Sequence, residues 1–203
     1  MKPQPITVRD AAAALRSGTT TSVELTAAAL RRADRLDRQL GTFLARFDEQ
    51  ALARAEAADD ELARGIDLGP LHGIPVGVKD ILAAREGPTT AQSLVLDPAW
   101  GARKDAPIVR RLRAAGAVIV GKTTTMEFAI GVPDPSKPFP VPRNPWDLRT
   151  WPGGSSSGTG SGIAAGMFLA GIGTDTGGSI RIPAAYCGVT GLMPTFSRVP
   201  KSG

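Results

Sequence analysis

The sequence predicts an α/β fold, chiefly because two apolar runs flank a helical segment. Residues 74–78 and 117–122 are short, contain several β-branched residues and are typical of buried strands. Residues 104–116, between them, carry the pattern of a helix, as in a right-handed strand–helix–strand crossover. Segments rich in alanine, arginine and glutamate come earlier in the chain, and they predict helices packed on the outside of a sheet.

Three helices are predicted in the N-terminal third of the chain. Residues 7–18 begin with a capping threonine and end with a glycine. Residues 21–41 start with a capping-box pattern at Thr21 and also stop at a glycine. Residues 48–65 contain many charged side chains at i,i+4 spacing, which marks an exposed helix face. We therefore expect residues 1–65 to form a helical segment packed on the sheet.

The remaining elements are predicted from residue 66 onwards. Asp105 is expected to cap the helix between the two strands, with a proline in its first turn. Residues 133–152 contain seven prolines and predict an extended loop. Residues 161–175 predict a short helix of small residues followed by an apolar strand, and residues 179–188 predict another helix.

Charge and aromatic content argue against nucleic-acid binding. The net charge of +5 comes from arginines scattered along predicted helices, and no run of five or six basic residues occurs. One tyrosine, three tryptophans and six phenylalanines leave little for base stacking. Scattered arginine is typical of a solvated helix face. We expect no direct nucleic-acid partner.

Cysteine use and apolar runs bear on location. The single cysteine, Cys187, excludes an internal disulfide and fits a reducing compartment, so a cytoplasmic location is predicted. Cys187 itself is predicted to be a small buried hydrophobe rather than a nucleophile. The first ten residues hold no apolar run, and no run approaches the length of a membrane span. Neither a signal peptide nor a membrane association is expected.

Two stretches rich in glycine and hydroxyl side chains, residues 152–162 and 173–181, need an explanation. A flexible linker should separate two patterned regions, whereas helix and strand signals follow these stretches at once. A phosphate-binding loop needs a lysine and glycines at set positions that neither stretch supplies. A turn at residues 177–179 before a helix can present backbone N–H groups to an oxyanion beside a serine nucleophile. This catalytic interpretation has the most physical content.

A serine nucleophile needs a base, and His72 is the only histidine. His72 lies in the turn-like "PLHGIP", where a structural role is favoured over a catalytic one. A buried lysine is the other candidate, because desolvation lowers the pKa of an amine towards neutrality. Lys79 directly follows an apolar strand, and Lys122 in "GKT" is its rival.

Four motifs, "GPLHGIPVGVKD", "GAVIVGKT", "GGSSSGTGSGIAAG" and "GTDTGGSIRIPAAYCGVTGL", together resemble the amidase signature family. The resemblance runs from about Leu71 to the end of the chain. It implies a Ser-cisSer-Lys triad with Ser179 as nucleophile, Ser155 after a cis peptide as relay, and Lys79 as base. Two positions, 193 and 197, hold methionine and serine where the family more often has lysine and glycine.

The resemblance also implies substrate contacts. The N–H groups of Thr176, Gly177, Gly178 and Ser179 are expected to stabilise an oxyanion. Ser156 is expected to contact the substrate or the triad, or to hold the tight turn. No metal or cofactor is implied, and the expected substrate is a small-molecule amide.

Several neighbouring residues are expected to act beside the triad. Thr174, like Ser156, is expected to hold either the triad or the turn, and Asp175 and Arg181 to pair across the nucleophile turn. Met126 and Phe128 are predicted to pack in the core, with pocket lining as the alternative.

The implied fold is a three-layer α/β/α arrangement with a mixed central sheet, in which residues 66–203 form the catalytic core. Family members are usually about twice this long, so the resemblance implies that the C-terminal half is lacking. The expected partner is therefore a second copy of this chain or a complementing chain that supplies the remainder. The implied activity is an amidohydrolase. The alternatives are a glutaminase-type subunit of a tRNA-dependent amidotransferase and a catalytically incomplete fragment that acts only by association.

Overall fold

The computed structural model describes residues 7–202 and contains a four-stranded sheet. In chain order the strands are β1 (Phe43–Arg46), β2 (Pro75–Lys79), β3 (Val118–Thr123) and β4 (Ala170–Ile172). Their order across the sheet is β1-β3-β2-β4. β2 runs parallel to both β3 and β4, and β1 is antiparallel to β3, so the predicted mixed α/β sheet is confirmed. The prediction that no signal peptide is present concerned the first ten residues, and residues 1–6 of these lie outside the described residues.

Six α-helices surround the sheet within residues 7–202: α1 (Val8–Arg16), α2 (Ser22–Leu40), α3 (Asp48–Ala63), α4 (Pro107–Ala114), α5 (Ser157–Ala164) and α6 (Arg181–Cys187). The predicted caps are present. The Thr7 hydroxyl accepts the Asp10 N–H at 3.1 Å, and Thr21 and Glu24 form a capping box. Gly41 ends α2 in the left-handed conformation. None of these described helices combines the length and the apolar character that crossing a bilayer requires.

The start of α4 differs from the prediction. Ala106, not Asp105, is the N-cap residue, and no side chain caps this helix. The Asp105 carboxylate instead accepts the Arg85 N–H at 3.0 Å and the Arg113 guanidinium at 2.8 Å. Pro107 occupies the first helical turn as expected, and its missing N–H leaves one donor fewer to be capped. The prediction for Asp105 is wrong because tertiary partners take its carboxylate.

Strand β1 is an element that the sequence patterns do not predict. It is only four residues long, and it pairs with β3 through Phe43 opposite Thr123 and Arg46 opposite Gly121. So short a run carries little local periodicity, and its pairing partner lies far away in sequence. The segment before residue 66 therefore supplies a strand as well as helices. The division of the chain after residue 65 stays a prediction.

The core lies on both faces of the sheet. Ile119 of β3 packs in a cluster that includes α1 and α4 side chains. Its neighbours Val118 and Val120 pack in a second cluster with α2 and α3 side chains. Successive side chains of a strand point to opposite faces, so the sheet lies between two helical layers.

Helix α5 packs unusually close to its neighbours because three of its residues are glycine. A Cβ atom at Gly158 would lie 2.3 Å from the Thr42 carbonyl oxygen, and one at Gly162 would lie 2.2 Å from the Phe168 ring. A Cβ at Gly160 would approach α6 to 2.9 Å. From Ser157 onwards the first Gly/Ser stretch is thus part of a buried helix rather than a linker, and the close packing of this helix fixes Ser155 and Ser156, which precede it.

Candidate active site

Lys79 ends β2 and is fully buried, with 0% of its side chain exposed. Its Nζ donates hydrogen bonds to Ser155 Oγ and to Thr174 Oγ1, each at 2.8 Å. Burial lowers the pKa of the Lys79 amine from 10.5 to about 7, and the negative charge of Asp175 opposes this only in part. A substantial fraction of the Lys79 side chain is therefore neutral near pH 7, as a proton acceptor must be.

Lys122, the rival lysine, is also fully buried but has a different partner. Its Nζ lies 2.7 Å from Asp80 Oδ1 and donates to Thr89 Oγ1 at 2.8 Å. The Asp80 carboxylate favours the charged form of Lys122, although burial still lowers its pKa. Asp80 is not among the residues predicted from the sequence. Its only local signal is an acidic residue directly after one of the two lysines that lie near the ends of neighbouring strands.

Ser155 follows a cis peptide bond between Gly154 and Ser155 and is 3% exposed. It stands two residues before α5, whose start is tied to the sheet by the Gly158 N–H donating to the Thr124 carbonyl at 3.1 Å. The Ser156 N–H donates to the Ser179 carbonyl at 3.1 Å. The fold thus brings Lys79 and Ser155 into direct contact and places the backbone of Ser179 beside that of Ser156.

Ser156 and Thr174 have separate roles in this arrangement. The Ser156 hydroxyl donates to the Thr174 carbonyl and accepts the Thr174 N–H, both at 3.2 Å. Ser156 therefore joins the two Ser/Gly stretches, as a hydroxyl that holds a turn does. Thr174 contacts Lys79 directly through its own hydroxyl. Of the two alternatives considered for these residues, Ser156 fits the turn and Thr174 fits the contact with the lysine.

The turn that carries Ser179 is organised by Asp175. The Asp175 carboxylate accepts the N–H groups of Gly178 at 2.8 Å, Ile180 at 3.1 Å and Arg181 at 3.3 Å. Two guanidinium nitrogens of Arg181 donate to it at 2.9 Å each, which is the predicted pairing across the turn. The Arg181 charge and these N–H donors hold the pKa of Asp175 well below its usual range.

The expected oxyanion donors are only partly free. Within residues 7–202, the N–H groups of Thr176, Gly177 and Ser179 donate to no protein acceptor. The Gly178 N–H is already engaged by Asp175, so the structure differs from the prediction there. The Ser179 hydroxyl has no hydrogen-bond partner among the described residues, and its side chain is half-buried. An unpaired hydroxyl beside unpaired N–H groups suits attack on a carbonyl group.

His72 and Cys187 are both buried, in keeping with the structural roles predicted for them. His72 is 2% exposed, accepts the Leu68 N–H at Nδ1 and contacts Glu61 through Nε2 at 2.6 Å. Cys187 is fully buried, and burial raises the pKa of its thiol to about 11, which leaves it protonated near neutral pH.

Met126 and Phe128 differ in burial. Met126 is 1% exposed, in agreement with the core prediction. Phe128 is 42% exposed and adopts a φ of 49°, so the core prediction for it is wrong. A left-handed backbone in the short 3-10 turn at Glu127–Ala129 directs the chain away from the core at this point.

Comparison with known proteins identifies the family of this chain. The family model named Amidase matches residues 24–203. The chain is 46% identical over 98% of its length to a glutamyl-tRNA(Gln) amidotransferase subunit of Chloroflexus aggregans, and covers 40% of that protein. It is 48% identical over 93% of its length to a putative amidase AmiD of Mycobacterium bovis, and covers 39% of that one.

A solved structure is also similar over nearly the whole chain. The native peptide amidase from Stenotrophomonas maltophilia superposes with a TM-score of 0.87 at 39% identity, over 98% of this chain and 43% of that one. The chain thus spans about 40% of the length of the curated relatives it matches. The sequence similarity extends over the site as well as the sheet, and the chain belongs to the amidase family.

Proposed function

We propose that this chain carries the nucleophile, relay and base of an amidohydrolase that cleaves a carboxamide C–N bond. Ser179 is the nucleophile, Ser155 the relay and Lys79 the base. The observation that carries the proposal is the 2.8 Å hydrogen bond between Lys79 Nζ and Ser155 Oγ inside a buried site. A lysine with a pKa of about 7 in contact with a serine hydroxyl is an arrangement suited to proton transfer.

The relay moves protons in a balanced sequence. Neutral Lys79 takes the hydroxyl proton of Ser155 as Ser155 Oγ takes that of Ser179, and Ser179 Oγ bonds to the amide carbon. When the C–N bond breaks, the proton returns from Lys79 through Ser155 to the departing nitrogen. Water then adds to the acyl-enzyme through the same relay and releases the acid. The sequence of steps calls for no metal or cofactor.

Negative charge develops on the carbonyl oxygen as Ser179 attacks. The unpaired N–H groups of Thr176, Gly177 and Ser179 are the donors proposed to stabilise it. Gly178 contributes indirectly, since its bond to Asp175 fixes the turn that aims the other three. Each lost oxyanion donor of this kind slows acyl transfer by about 100-fold or more.

Labelling with a fluorophosphonate probe, read by mass spectrometry, tests the proposal. We expect one adduct on Ser179 that is lost in Ser179→Ala and strongly reduced in Lys79→Ala. Ser161→Ala is the matched control, because this buried serine only donates to the Arg143 carbonyl at 2.9 Å. A parent chain that stays unlabelled, or a Ser179→Ala variant that labels like the parent, contradicts the assignment for this chain.

A glutaminase-type subunit of a tRNA-dependent amidotransferase is the second candidate function. The 46% identity to a glutamyl-tRNA(Gln) amidotransferase subunit favours it, at a level similar to the identity with a putative amidase. Glutamine hydrolysis that appears only with partner subunits would support this alternative, whereas hydrolysis of simple amides by this protein alone would support the first.

Association with further protein is proposed separately from these two activities. The relatives are much longer than this chain, and Leu192 and Phe196 near its end are 76% and 72% exposed. A homo-oligomer, a complementing chain and a fragment that acts only by association are distinguished by light scattering combined with labelling. A chain that assembles but never labels at Ser179 would favour the association role.

A further inference from the structure

A buried ion pair lies next to Lys79 and takes no part in the chemistry proposed above. Asp80 directly follows Lys79 at the end of β2, and Lys122 lies on the neighbouring strand β3. Lys122 Nζ and Asp80 Oδ1 are 2.7 Å apart, and the two side chains are 0% and 1% exposed. Removing two charges from water is costly, and an apolar pair of similar size often serves stability as well. Stability alone therefore does not explain a buried ion pair at this position.

The pair and the proposed base lie on opposite faces of the sheet. Side chains alternate along a strand, so Lys79 and Asp80 point in opposite directions. The register of β2 and β3 aligns Lys79 with Thr123, which places Lys122 on the same face as Asp80. The ion pair is thus directly behind the strand end from which Lys79 reaches the site.

The pair also fastens the loop that follows β2. Thr90 donates both its N–H and its hydroxyl to Asp80 Oδ2, at 3.0 and 2.5 Å. Lys122 donates to the Thr89 hydroxyl at 2.8 Å, and the Ala91 N–H donates to the Asp80 carbonyl at 3.0 Å. Three consecutive loop residues are therefore attached to the two charged residues.

The backbone at Asp80 completes the attachment. Its N–H donates to the Thr123 carbonyl at 3.0 Å, which extends the hydrogen bonding between β2 and β3 one residue beyond Lys79. We infer that the Asp80–Lys122 ion pair is a positioning device for Lys79, which holds the end of β2 so that Lys79 Nζ stays within reach of Ser155 Oγ. The inference rests on the proposed role of Lys79 as the base. Misplacement of a catalytic group by about 1 Å costs up to about 100-fold in rate.

The charged surroundings of Lys79 allow the effect to be read from its titration. Lys79 faces Asp175 of the β4–α6 loop, and Asp175 is itself paired with Arg181. Asp80 and Lys122 lie on the far face of the sheet. Helix α5 and strand β4, which pack against β2, contain no charged residue. A Lys79 that loses its position gains contact with water, and its titration then moves upwards towards that of an ordinary lysine.

The test replaces both members of the pair at once, with Asp80→Asn and Lys122→Met in one protein, because a single replacement strands a buried charge. Two readouts are taken: the titration of the Lys79 side chain by ¹³C NMR at Cε, and the pH profile of fluorophosphonate labelling at Ser179. We expect the Lys79 titration to rise by about one pH unit or more and labelling at neutral pH to slow by about 100-fold. Arg46→Met with Asp48→Asn removes a partly exposed ion pair at the β1 edge and the contact of Arg46 with Asp34, and this control should change neither readout.

A milder variant covers the case in which the double replacement does not fold. Thr90→Val removes the hydroxyl that donates to Asp80 and accepts the Gln92 N–H, and it should move both readouts in the same direction by a smaller amount. The inference would be overturned if the folded double variant showed the same Lys79 titration and the same labelling rate as the parent. Where only Thr90→Val folds, the same result in that variant would overturn it. A parent whose Ser179 never labels would refute the proposed function, while the NMR titration would still decide whether the pair positions Lys79.

Discussion

Replacement of Lys79 by methionine tests whether this lysine is held neutral by burial. Methionine keeps the length and apolar character of the stem and removes the amine. Burial disfavours the charged form of the Lys79 amine in the folded parent, and its pKa therefore falls from 10.5 to about 7. Folding of the parent must supply the free energy of this shift. At pH 7 this cost is about 4 kcal/mol, since each pH unit of difference corresponds to about 1.4 kcal/mol. Loss of the two hydrogen bonds to Ser155 and Thr174 offsets about 2 kcal/mol of it.

The sign of the pH dependence follows from proton binding. The folded state binds fewer protons at Lys79 than the unfolded chain does at any pH between about 7 and 10.5. The stability of the parent therefore rises with pH across this window, by about 2 kcal/mol between pH 7 and pH 9. We expect Lys79→Met to be about 2 kcal/mol more stable than the parent at pH 7 and to lose this advantage by pH 9.

The assay is urea unfolding followed by circular dichroism at both pH values, with Lys122→Met as the matched control. That variant removes an equally buried lysine but leaves Asp80 charged and unpaired, so it should be destabilised by about 3–5 kcal/mol. The two lysines thus give opposite signs. A Lys79→Met protein as unstable as Lys122→Met, with the pH slope of the parent unchanged, would refute the reasoning.

Three further replacements test the packing around the site. Gly178→Ala should lose most labelling at Ser179, because its φ of +130° and a Cβ 2.8 Å from Ile182 distort the turn. The control Ser161→Ala should label normally, and equal rates in the two variants would argue against this reasoning. Asp175→Asn should lower the free energy of unfolding by about 2 kcal/mol in urea titrations, since one carbonyl oxygen cannot serve three N–H donors. Gly162→Ala should fail to give a cooperative thermal melt, because its Cβ would lie 2.2 Å from the Phe168 ring, and a melt like that of the parent would refute the packing argument.

Local signals in the sequence located most helices and strands correctly. The capping box at Thr21 and the glycine that ends α2 are encoded within a few residues, and the structure reproduces both. The strand before Lys79 is a short apolar run whose burial its composition dictates. Such features depend on nearest neighbours along the chain, which the sequence shows directly.

The elements that sequence reasoning missed depend on distant partners. Strand β1 forms because Phe43–Arg46 pairs with the edge of β3, and no pattern within those four residues predicts this pairing. Asp105 matches the pattern of a helix cap, yet Arg113 and the Arg85 N–H take its carboxylate. In both cases a tertiary contact outweighs the local preference.

The candidate site shows the same division. The sequence by itself determined that a glycine-rich turn carries Ser179, that Ser155 follows glycines, and that the chain offers two lysines and one histidine as bases. The family resemblance implied Lys79 as the base, and only the tertiary structure distinguishes the surroundings of the two lysines, because it places a carboxylate beside Lys122 and hydroxyl groups beside Lys79. The physical reason is that the protonation of a buried amine depends on which groups the fold brings within a few ångströms, and those groups come from strands and loops far apart in the chain.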